Sequence, residues 1–331
     1  MDRTRAYISS TGLYYPEKRV TNDKFAKTMD TSDQWIRERT GIAERRFCAE
    51  GEVTSDMSAK AAKDCLEKAG VSPDEVDAII VCTVTPDMLF PSTACLVQDK
   101  IKASKAWGFD LSGACSGFVF GLATGAQFIE SGRYRKVLVI GSDTMTSIVD
   151  FSDRATCVLF GDGAGAVLLE PSQDGETGIL DFDLHCDGSG KEYLYMPAGG
   201  SLNPPSHETV DKGMHYVRQD GRAVFKYAVK YMTEVSEKLL ERNQIPVGDV
   251  ALVIPHQANL RIINSISDRL KLREDQLGLN IENYANTTAA TIPTCLCEYD
   301  RAGKLNKGDL ILVTSFGAGF TWGSVLFRWG L

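Results

Sequence analysis

This 331-residue sequence contains no uninterrupted apolar run near the ~18 residues that a membrane-spanning helix needs. Its N-terminal segment, MDRTRAYISSTG, lacks the apolar core of a secretory signal peptide. Basic residues are outnumbered, with 36 Lys and Arg against 44 Asp and Glu, and the net charge of −8 gives no bulk attraction to nucleic acid or anionic lipid. We therefore expect a cytoplasmic protein that binds neither nucleic acid nor a membrane.

The nine cysteines lack the pairing that marks a disulfide framework. Their number is odd, they are scattered, and most stand in apolar strings such as IIVCTV and ATCVLF. Such cysteines are typical of small core residues in a reducing compartment. The Cys295-x-Cys297 pair has no second pair or nearby histidine to complete four zinc ligands, so we expect no metal site.

Helical and strand periodicity alternate along the chain, which indicates a layered α/β fold. The sequence also repeats itself weakly. The matching pairs are AGVSPDEVDAIIVCT (69–83) with NQIPVGDVALVIPHQ (243–257), and ESGRYRKVLVIGSD (130–143) with RAGKLNKGDLILVTSFG (301–317). We expect two similar halves, residues 1–174 and 175–331, that join near EPSQDGETG.

The segment GDGAGA (161–166) partly matches a dinucleotide-binding fingerprint. It lies between two strand-like runs, TCVLF and AVLLE, whereas the fingerprint joins a strand to the N-terminus of a helix. We therefore expect a tight β-turn at this position.

A lone cysteine stands at the junction of strand-like and helix-like sequence in LSGACSGFVFGLATG. The segment 115–130 is apolar almost all round, which predicts a central buried helix with Cys115 in its first turn. Unpaired amides and the helix dipole at that end favour a thiolate. Gly113 and Gly117 permit a sharp turn and close approach of a substrate. An inert buried cysteine is the alternative.

His256 and Asn286 stand at two further element ends. ALVIPHQANLRII places His256 where a buried strand passes into an amphipathic helix, whereas the other three histidines fall in polar or loop-like sequence. Asn286 lies in the polar loop NYANTTAATIP, where helix capping is the simpler role. With Cys115 they supply a nucleophile, a base and a neutral donor, a set that thiol proteases also use.

Several long motifs occur together in an order and spacing that resemble one known family. They are DTSDQWIRERTGI, FPSTAC, GACSGF, FGDGAGAVLLE, VFKYAV, PHQANLRI, NTTAATIP and FGAGFTWGSVLFRW. The sequence resembles the β-ketoacyl-acyl carrier protein synthase III family of the thiolase superfamily from about residue 5 to residue 330. The resemblance implies a thiolase-like α-β-α-β-α five-layer fold of two pseudo-duplicated halves, each with a five-stranded sheet.

The resemblance also implies a reaction. An acyl group passes from acyl-CoA to Cys115, and malonyl-acyl carrier protein then condenses with it by decarboxylative Claisen chemistry, which initiates fatty acid synthesis. His256 and Asn286 would stabilise the enolate, and the backbone amides of Cys115 and Ala318 would form the oxyanion hole. Apart from the CoA thioester substrate, no cofactor is implied. The family usually has glycine where this chain has Ala285 and Ala318.

Matched positions also imply the binding of coenzyme A and the formation of a homodimer. The residues matched to CoA contacts are Thr31, Trp35, Arg39, Arg154 and Asn259. Trp35 and Arg154 would sandwich the adenine ring, although helix packing alone explains a tryptophan at position 35. Phe90 would cross a dimer interface and close the acyl pocket of the partner.

An acidic carrier protein needs a local basic patch on this acidic chain. The helix NLRIINSISDRLK leaves Arg261 and Arg269 on its polar face. The residues predicted to form its buried stripe are Leu260, Ile263, Ile266 and Leu270. Lys226 and Arg261 match docking positions of the family, whereas ordinary solvated helix charges are the alternative.

Other functions stay open on the sequence alone. A specialised relative could load a branched, aromatic or polyketide-type starter, or transfer the acyl group to another nucleophile. A degradative thiolase is disfavoured because FGAGF contains no second cysteine. A non-catalytic protein on the same fold would be expected to lose the Cys, His and Asn, which are all present.

Overall fold

The computed structural model describes residues 4–331. Its strands are β1 (Ala6–Tyr14), β2 (Lys18–Thr21), β3 (Glu44–Phe47), β4 (Ala78–Cys82), β5 (Trp107–Leu111), β6 (Val137–Thr144), β7 (Asp162–Pro171), β8 (Gly178–Cys186), β9 (Leu194–Tyr195), β10 (Arg218–Gln219), β11 (Leu252–Pro255), β12 (Leu310–Gly317) and β13 (Thr321–Arg328). Its α-helices are α1 (Asp23–Ala26), α2 (Asp33–Thr40), α3 (Thr54–Ala69), α4 (Thr93–Ile101), α5 (Gly117–Glu130), α6 (His207–Asp211), α7 (Gly221–Arg242), α8 (Leu260–Leu270), α9 (Ile281–Tyr284) and α10 (Thr291–Arg301).

Two sheets with the same strand succession form the centre of the protein. The first has the order β1-β7-β6-β4-β5, and the second, taken from its other edge, has the order β8-β13-β12-β11. In both sheets the first strand pairs with the second, and the second with the third, in antiparallel fashion. The third strand pairs with the fourth in parallel. The predicted duplication is therefore confirmed at the level of topology.

Helices separate and cover the two sheets. Helix α3 packs on the outer face of the first sheet, α5 and α10 contact strands of both sheets, and α7 packs on the outer face of the second. This gives the predicted α-β-α-β-α succession of layers. None of the helices in residues 4–331 combines the length and the apolar character needed to cross a bilayer.

The second sheet departs from the expected five strands. Within the described residues it has four, and the counterpart of β5 is reduced to an isolated parallel bridge between Val253 and Leu277. The Gly278 N–H donates to the Val253 carbonyl at 2.9 Å. A 3-10 turn (Glu274–Gln276) lies immediately before this bridge and α9 begins at Ile281, so the extended segment is too short for a regular strand.

The repeated segments occupy equivalent places in the two halves. A 3-10 turn (Pro73–Glu75) leads into β4, and the turn Val247–Asp249 leads into β11 in the same way. The second pair of segments forms β6 and β12. The chain passes from the first sheet to the second between Pro171 and Gly178, and we propose to divide the halves between residues 174 and 175.

The predicted β-turn at GDGAGA is wrong, because residues 162–166 form the start of β7 and pair with both β6 and β1. Small residues serve close packing here. A Cβ on Gly165 would lie 2.7 Å from the Thr294 backbone nitrogen, so glycine lets α10 approach the strand. The segment is followed by more strand rather than by a helix, as the sequence predicts.

The central helix α5 is buried between the sheets, as predicted from its apolar sequence. Phe118 and Leu122 are fully buried in a core cluster that includes residues of both sheets. Burial of each such side chain contributes about 1.5–3 kcal/mol. The α-helix begins at Gly117, and Cys115 lies in a 3-10 turn (Ala114–Ser116) directly before it.

Candidate active site

A cavity of about 410 Å³ lies where the ends of elements from both halves meet. It is lined by most of the residues that the sequence nominates, namely Cys115, His256, Asn286, Ala318, Trp35, Arg39, Arg154 and Asn259. Cys115 and the residues of α2 come from the first half, whereas His256, Asn286 and Ala318 come from the second. The nominated nucleophile, base and neutral donor therefore face one space.

Cys115 is placed by a sharp turn between β5 and α5. The residue with left-handed geometry in this turn is Ala114, with a φ of 47°, rather than the expected Gly113 or Gly117. The two glycines serve close packing instead, because a Cβ on Gly113 would lie 3.0 Å from the Gly117 Cα. A strained alanine thus precedes the candidate nucleophile.

Burial of Cys115 opposes the expected thiolate. Cys115 is 7% exposed, and burial raises the pKa of its thiol to about 12. The negative charge of Asp143 raises this pKa further in the same direction. Burial and the helix end thus act in opposite directions on this thiol.

His256 follows β11 and is 3% exposed. Its ring Nδ1 lies 2.7 Å from the Thr291 hydroxyl oxygen, and its Nε2 has no hydrogen-bond partner within residues 4–331. Burial lowers the pKa of the imidazole to about 3, so the ring is neutral at ordinary pH. His256 thus presents one unsatisfied ring nitrogen in a buried position.

Asn286 is held by both its side chain and its backbone. Its Oδ1 accepts the Thr288 N–H at 2.9 Å, which leaves the amide Nδ2 as the donor for the cavity. Its backbone N–H donates to the Leu159 carbonyl, and its carbonyl accepts the Gly161 N–H, both at 3.0 Å. These bonds fix Asn286 against the first half of the chain.

The two alanines at usual glycine positions behave differently. Ala285 has φ 60° and ψ −157°, a region that is essentially restricted to glycine, so it stores strain directly before Asn286. Its methyl group packs in a buried cluster with Ile42, Ile263 and Ile281. In the other loop the residue with positive φ is Gly319, so alanine at position 318 carries no such strain.

The candidate oxyanion hole depends on Gly317. A Cβ on Gly317 would lie 2.8 Å from the Cys115 backbone nitrogen, so only glycine lets the β12–β13 connection approach the nucleophile turn. The Ser315 hydroxyl also donates to the Cys115 carbonyl at 2.7 Å. Ala318, the next residue after Gly317, lines the cavity together with Cys115.

Asp143 lies outside the cavity lining but supports the segment that carries Asn286, and the sequence did not single it out. Its Oδ2 accepts the Ala289 N–H at 3.1 Å, and this bond joins the end of β6 to the segment that carries Asn286. The donors to its Oδ1 are the hydroxyls of Thr83 and Thr85 and the N–H of Val84, at 2.8–3.0 Å. Burial raises the pKa of this carboxyl to about 6. The only signal in the sequence is one acid at the end of an apolar strand.

The aromatic and basic residues at the mouth of the cavity contact one another. The Arg154 guanidinium lies 5.0 Å from the centre of the Trp35 ring, and Arg39 lies 5.6 Å from it. A sandwiched base needs about 7 Å, twice the ~3.5 Å contact distance. The predicted clamp is therefore closed by Arg154, which also donates to the Asp30 carbonyl.

Asn259 and Thr31 differ in their hydrogen bonds and in their position relative to the cavity. The Asn259 side chain caps α8 by accepting the Arg261 N–H at 2.9 Å, and it donates to the Arg39 carbonyl at 3.0 Å. The Thr31 hydroxyl is buried without a partner in the described residues, and Thr31 does not line the cavity. Contact of either residue with CoA stays a prediction.

The docking candidates Lys226, Arg261 and Arg269 are exposed and lie outside the cavity lining. Helices α7 and α8, which carry them, pack against each other. The buried face of α8 includes Ile262, whereas Leu260 is only partly buried. The Leu260 side chain lies against Gly41 at the end of α2. This corrects the predicted stripe but leaves both arginines on the solvent side.

Two further predicted features lie away from the site. Phe90 is 84% exposed and Leu89 81% exposed, and neither lines the cavity. Cys295 and Cys297 are buried in α10. Within residues 4–331, no three His, Cys, Asp or Glu side chains are grouped closely enough to hold a metal ion.

Known proteins share this architecture and sequence over the whole chain. Models of 3-oxoacyl-[acyl-carrier-protein (ACP)] synthase III and of its C-terminal domain match residues 109–188 and 240–329. The β-ketoacyl-[acyl-carrier-protein] synthase III of Solibacter usitatus is 56% identical over 98% of this chain and 99% of its own length. That of Koribacter versatilis is 55% identical over 98% of both chains.

Solved structures agree with these sequence matches. The crystal structure of 3-oxoacyl-[acyl-carrier-protein] synthase III from Aquifex aeolicus superposes with a TM-score of 0.91 at 44% identity, covering 98% of this chain and 100% of that one. The priming β-ketosynthase of the R1128 polyketide pathway superposes with a TM-score of 0.92 at 33% identity, covering 99% and 97%.

We expect Asp143→Asn to lower the free energy of unfolding by about 1–3 kcal/mol. In the wild type both carboxylate oxygens accept hydrogen bonds, whereas the NH₂ group of the new asparagine would face at least one donor. Asp99→Asn is the matched control. The Asp99 side chain is 78% exposed, and its replacement should change the free energy of unfolding by less than about 0.5 kcal/mol. Urea unfolding measures both variants, and equal stability of Asp143→Asn and wild type would contradict the role given to Asp143.

Proposed function

Because the chain belongs to the 3-oxoacyl-[acyl-carrier-protein] synthase III family, we infer the roles of its residues from the cavity in which they meet. It is a condensing acyltransferase that initiates fatty acid synthesis. The observation that carries the assignment of residues is the convergence of Cys115, His256 and Asn286 on one cavity. The mouth of that cavity is lined by Trp35 and Arg154.

In the first half-reaction we propose that the Cys115 sulfur attacks the carbonyl carbon of acyl-CoA. The tetrahedral oxyanion would accept hydrogen bonds from the backbone amides of Cys115 and Ala318. The close approach that Gly317 permits supports this pairing. Removal of one such donor costs about 2.7–4 kcal/mol in comparable enzymes. Departure of CoA leaves the acyl group as a thioester on Cys115.

In the second half-reaction a malonyl thioester loses carbon dioxide, and its enolate oxygen requires donors. Asn286 suits this role because its Oδ1 already accepts the Thr288 N–H, which leaves Nδ2 for the substrate. The unsatisfied Nε2 of His256 faces the same buried space. The resulting carbanion attacks the thioester on Cys115 and releases a 3-ketoacyl product.

Coenzyme A is proposed to enter between α2 and the loop that carries Arg154. Arg39 and Arg154 supply positive charge for its phosphates, and Trp35 supplies a flat surface for adenine. Arg154 must move off the Trp35 ring before a base can lie between them. Asn259 and Thr31 are proposed to border the same path.

We also propose a cytoplasmic location and a primary rather than a specialised role. Each of the nine cysteines lies in residues 4–331 and is a free thiol, which suits a reducing compartment. An unusual starter is the second candidate, and the priming ketosynthase of the R1128 pathway favours it at 33% identity. The 56% identity to a synthase III supports fatty acid initiation more strongly.

We expect Cys115→Ser to abolish formation of the acyl-enzyme, because a serine hydroxyl in this buried site is far harder to ionise than a thiol. Asn286→Ala is the matched control, since it should still take up one acyl group while product formation falls at least ~10²-fold. Intact-mass spectrometry after incubation with a panel of acyl-CoAs reads the mass added and the acyl group preferred. An acyl adduct on Cys115→Ser would remove Cys115 from the nucleophile role.

The exposed apolar loop at Phe90 supports a homodimer. Met88, Leu89 and Phe90 are all exposed, which is unusual for neighbouring large apolar side chains in an isolated protein. We propose that Phe90 reaches the acyl pocket of a second copy, so Phe90→Ala should shift acyl chain-length preference. Leu202→Ala removes an equally exposed side chain as a control. An active species that sediments as a monomer would contradict the dimer.

The basic side chains on α7 and α8 are proposed to receive the acidic carrier protein. Replacing Lys226, Arg261 and Arg269 with Glu should raise KM for malonyl-carrier protein about tenfold and weaken its salt dependence, because steering acts on association. Acylation by acyl-CoA should stay unchanged.

The control for this triple variant places glutamate at Lys63, Lys102 and Lys105, which are exposed on the first half and make the same change in charge. Arg269 borders a surface depression with Glu237 and Glu241, so it should contribute least to docking. Equal effects of the two triple variants would show that net charge, rather than a docking patch, controls KM.

A further inference from the structure

Arg45 is a charged side chain that lies in the core without a carboxylate partner. It stands in β3 and is 0% exposed. Its hydrogen bonds go to oxygens of neutral groups, and within residues 4–331 no acidic side chain forms an ion pair with it. Burial lowers the pKa of the guanidinium to about 10, so it stays charged near neutral pH. A buried cation destabilises a fold unless its contacts compensate, so its partners indicate what it does.

The two Nη groups of Arg45 reach two different parts of the chain. One donates to the Val158 carbonyl at 2.8 Å. The other donates to Asn22 Oδ1 at 2.7 Å and to the Val20 carbonyl at 3.4 Å. The guanidinium carbon lies over the Phe25 ring, 4.8 Å from its centre. Arg45 therefore joins two segments that are far apart in the sequence.

Asn22 connects Arg45 to both ends of α2. Its Nδ2 donates to Asp33 Oδ1 and to the Ile42 carbonyl, both at 2.8 Å. Asp33 is the first residue of α2, and Ile42 follows its C-terminal cap. Trp35, which lines the mouth of the cavity, lies on the helix between these two points. The bond from Arg45 to Asn22 thus holds the helix that presents the aromatic ring.

The other Nη group holds the loop, residues 148–161, that carries Arg154. Val158 in this loop lines the cavity, and its carbonyl accepts the bond. A hydrogen bond of 3.0 Å from the Cys157 N–H to the Asp153 carbonyl closes a turn around Arg154, directly before this anchor. The bond to Val158 thus fixes the base of the turn that presents Arg154.

We propose that Arg45 is a positioning residue that sets the width of the entrance, the space between α2 and the loop 148–161 that receives the nucleotide of coenzyme A. This inference rests on the proposed function, in which Trp35 and Arg154 receive the adenine. Neither Arg45 nor Asn22 lines the cavity, so Arg45 acts through the elements that it holds and touches no substrate.

The bridge through Arg45 is independent of the Arg154 side chain. Arg154 also joins the loop to α2, because it donates to the carbonyl of Asp30 shortly before the helix. That bond is lost when Arg154 moves off the Trp35 ring to admit a base. The bonds of Arg45 do not involve Arg154 and persist. The two sides of the entrance thus keep their distance while the guanidinium of Arg154 moves.

An arginine suits this role better than a lysine. Its two Nη groups lie in one rigid plane, so the two acceptors are held in a fixed relation to each other. The ammonium group of a lysine is a single point on a flexible stem. It would keep the charge at this position, but it would bond one acceptor at the expense of the other.

This role affects one substrate and not the other. An acyl-CoA carries a nucleotide, whereas an acyl-pantetheine and the prosthetic group of a carrier protein have none. A wider entrance weakens binding of the nucleotide and leaves the reacting atoms at Cys115 in place. Arg45 therefore affects KM for acyl-CoA and not kcat, the pattern of lost ground-state binding.

Arg45→Met keeps a long side chain in the core and removes both bonds. We expect KM for acyl-CoA to rise about tenfold, with kcat and KM for acyl-pantetheine unchanged. Arg45→Lys should give the same pattern, because the bridge rather than the charge sets the entrance. Calorimetric titration with the nucleotide fragment of coenzyme A, which lacks the pantetheine arm, should show the same loss of affinity independently of turnover.

A second variant tests the bridge at its other end and retains the buried cation. Asn22→Asp keeps an oxygen for Arg45 but has no N–H for Asp33 or for the Ile42 carbonyl. The connection to α2 is then cut while Val158 stays bonded. We expect the same rise in KM for acyl-CoA, again with KM for acyl-pantetheine unchanged.

Arg46→Met is the matched control, since it removes the same charge from the neighbouring residue. The Arg46 Nη1 donates to the Pro16 and Glu17 carbonyls at 3.5 and 3.4 Å. These carbonyls lie in the connection between β1 and β2 and do not line the cavity. Both KM values of this variant should match those of the wild type.

An equal rise in both KM values in Arg45→Met and Asn22→Asp would indicate a general defect of the site and overturn the proposal. Recovery of the wild-type KM by Arg45→Lys would do the same. If Arg45→Met fails to fold, Asn22→Asp decides, and an unchanged KM for acyl-CoA there contradicts the bridge. Failure of the proposed function gives a different result, because the wild type would then use acyl-CoA no better than acyl-pantetheine and would not bind the nucleotide fragment.

Discussion

Backbone contact between the two halves is the constraint on which the site depends. A Cβ on Gly141 would lie 2.2 Å from the Ala289 carbonyl oxygen, and a Cβ on Gly317 would lie 2.8 Å from the Cys115 nitrogen. At both places a strand of one half approaches the other half more closely than a side chain allows. The first contact sets the segment that carries Asn286, and the second brings the residue before Ala318 against Cys115, the proposed nucleophile. The two halves of the fold thus form a single site because glycine at these two positions lets their backbones come into contact.

Electrostatically, the empty site favours neutral groups. Burial raises the pKa of the Cys115 thiol and lowers that of the His256 imidazole, so it favours the uncharged form of both. The charge of Asp143 is stabilised by four donors and kept on the side of the first sheet. A site of this kind develops charge only when substrate supplies it, and fixed donors then act at low dielectric. Strain at Ala114 and Ala285, each directly before a residue with a proposed catalytic role, is a further cost of this geometry.

The layered fold and the duplication could be predicted from the sequence, because periodicity and the resemblance of long motifs to a known family carry them. The same motifs pick out Cys115, His256 and Asn286, which line one cavity. The role of Asp143 could not, since it depends on a bond to Ala289 from a residue 146 positions earlier. The turn predicted at GDGAGA does not form, because the segment continues as strand β7 and its Gly165 packs against the distant helix α10. Likewise, no local pattern shows that the counterpart of β5 is reduced to a bridge at Leu277.

In the binding mode proposed for coenzyme A, the Arg154 guanidinium occupies the face of the Trp35 ring that the adenine would use. An incoming nucleotide must displace the guanidinium, and the guanidinium can return as soon as the nucleotide departs. Such an exchange weakens equilibrium affinity, yet it also shortens the time for which spent coenzyme occupies the entrance. In an enzyme whose first product must leave the channel before the second substrate enters, fast dissociation of that product matters more than high affinity for it.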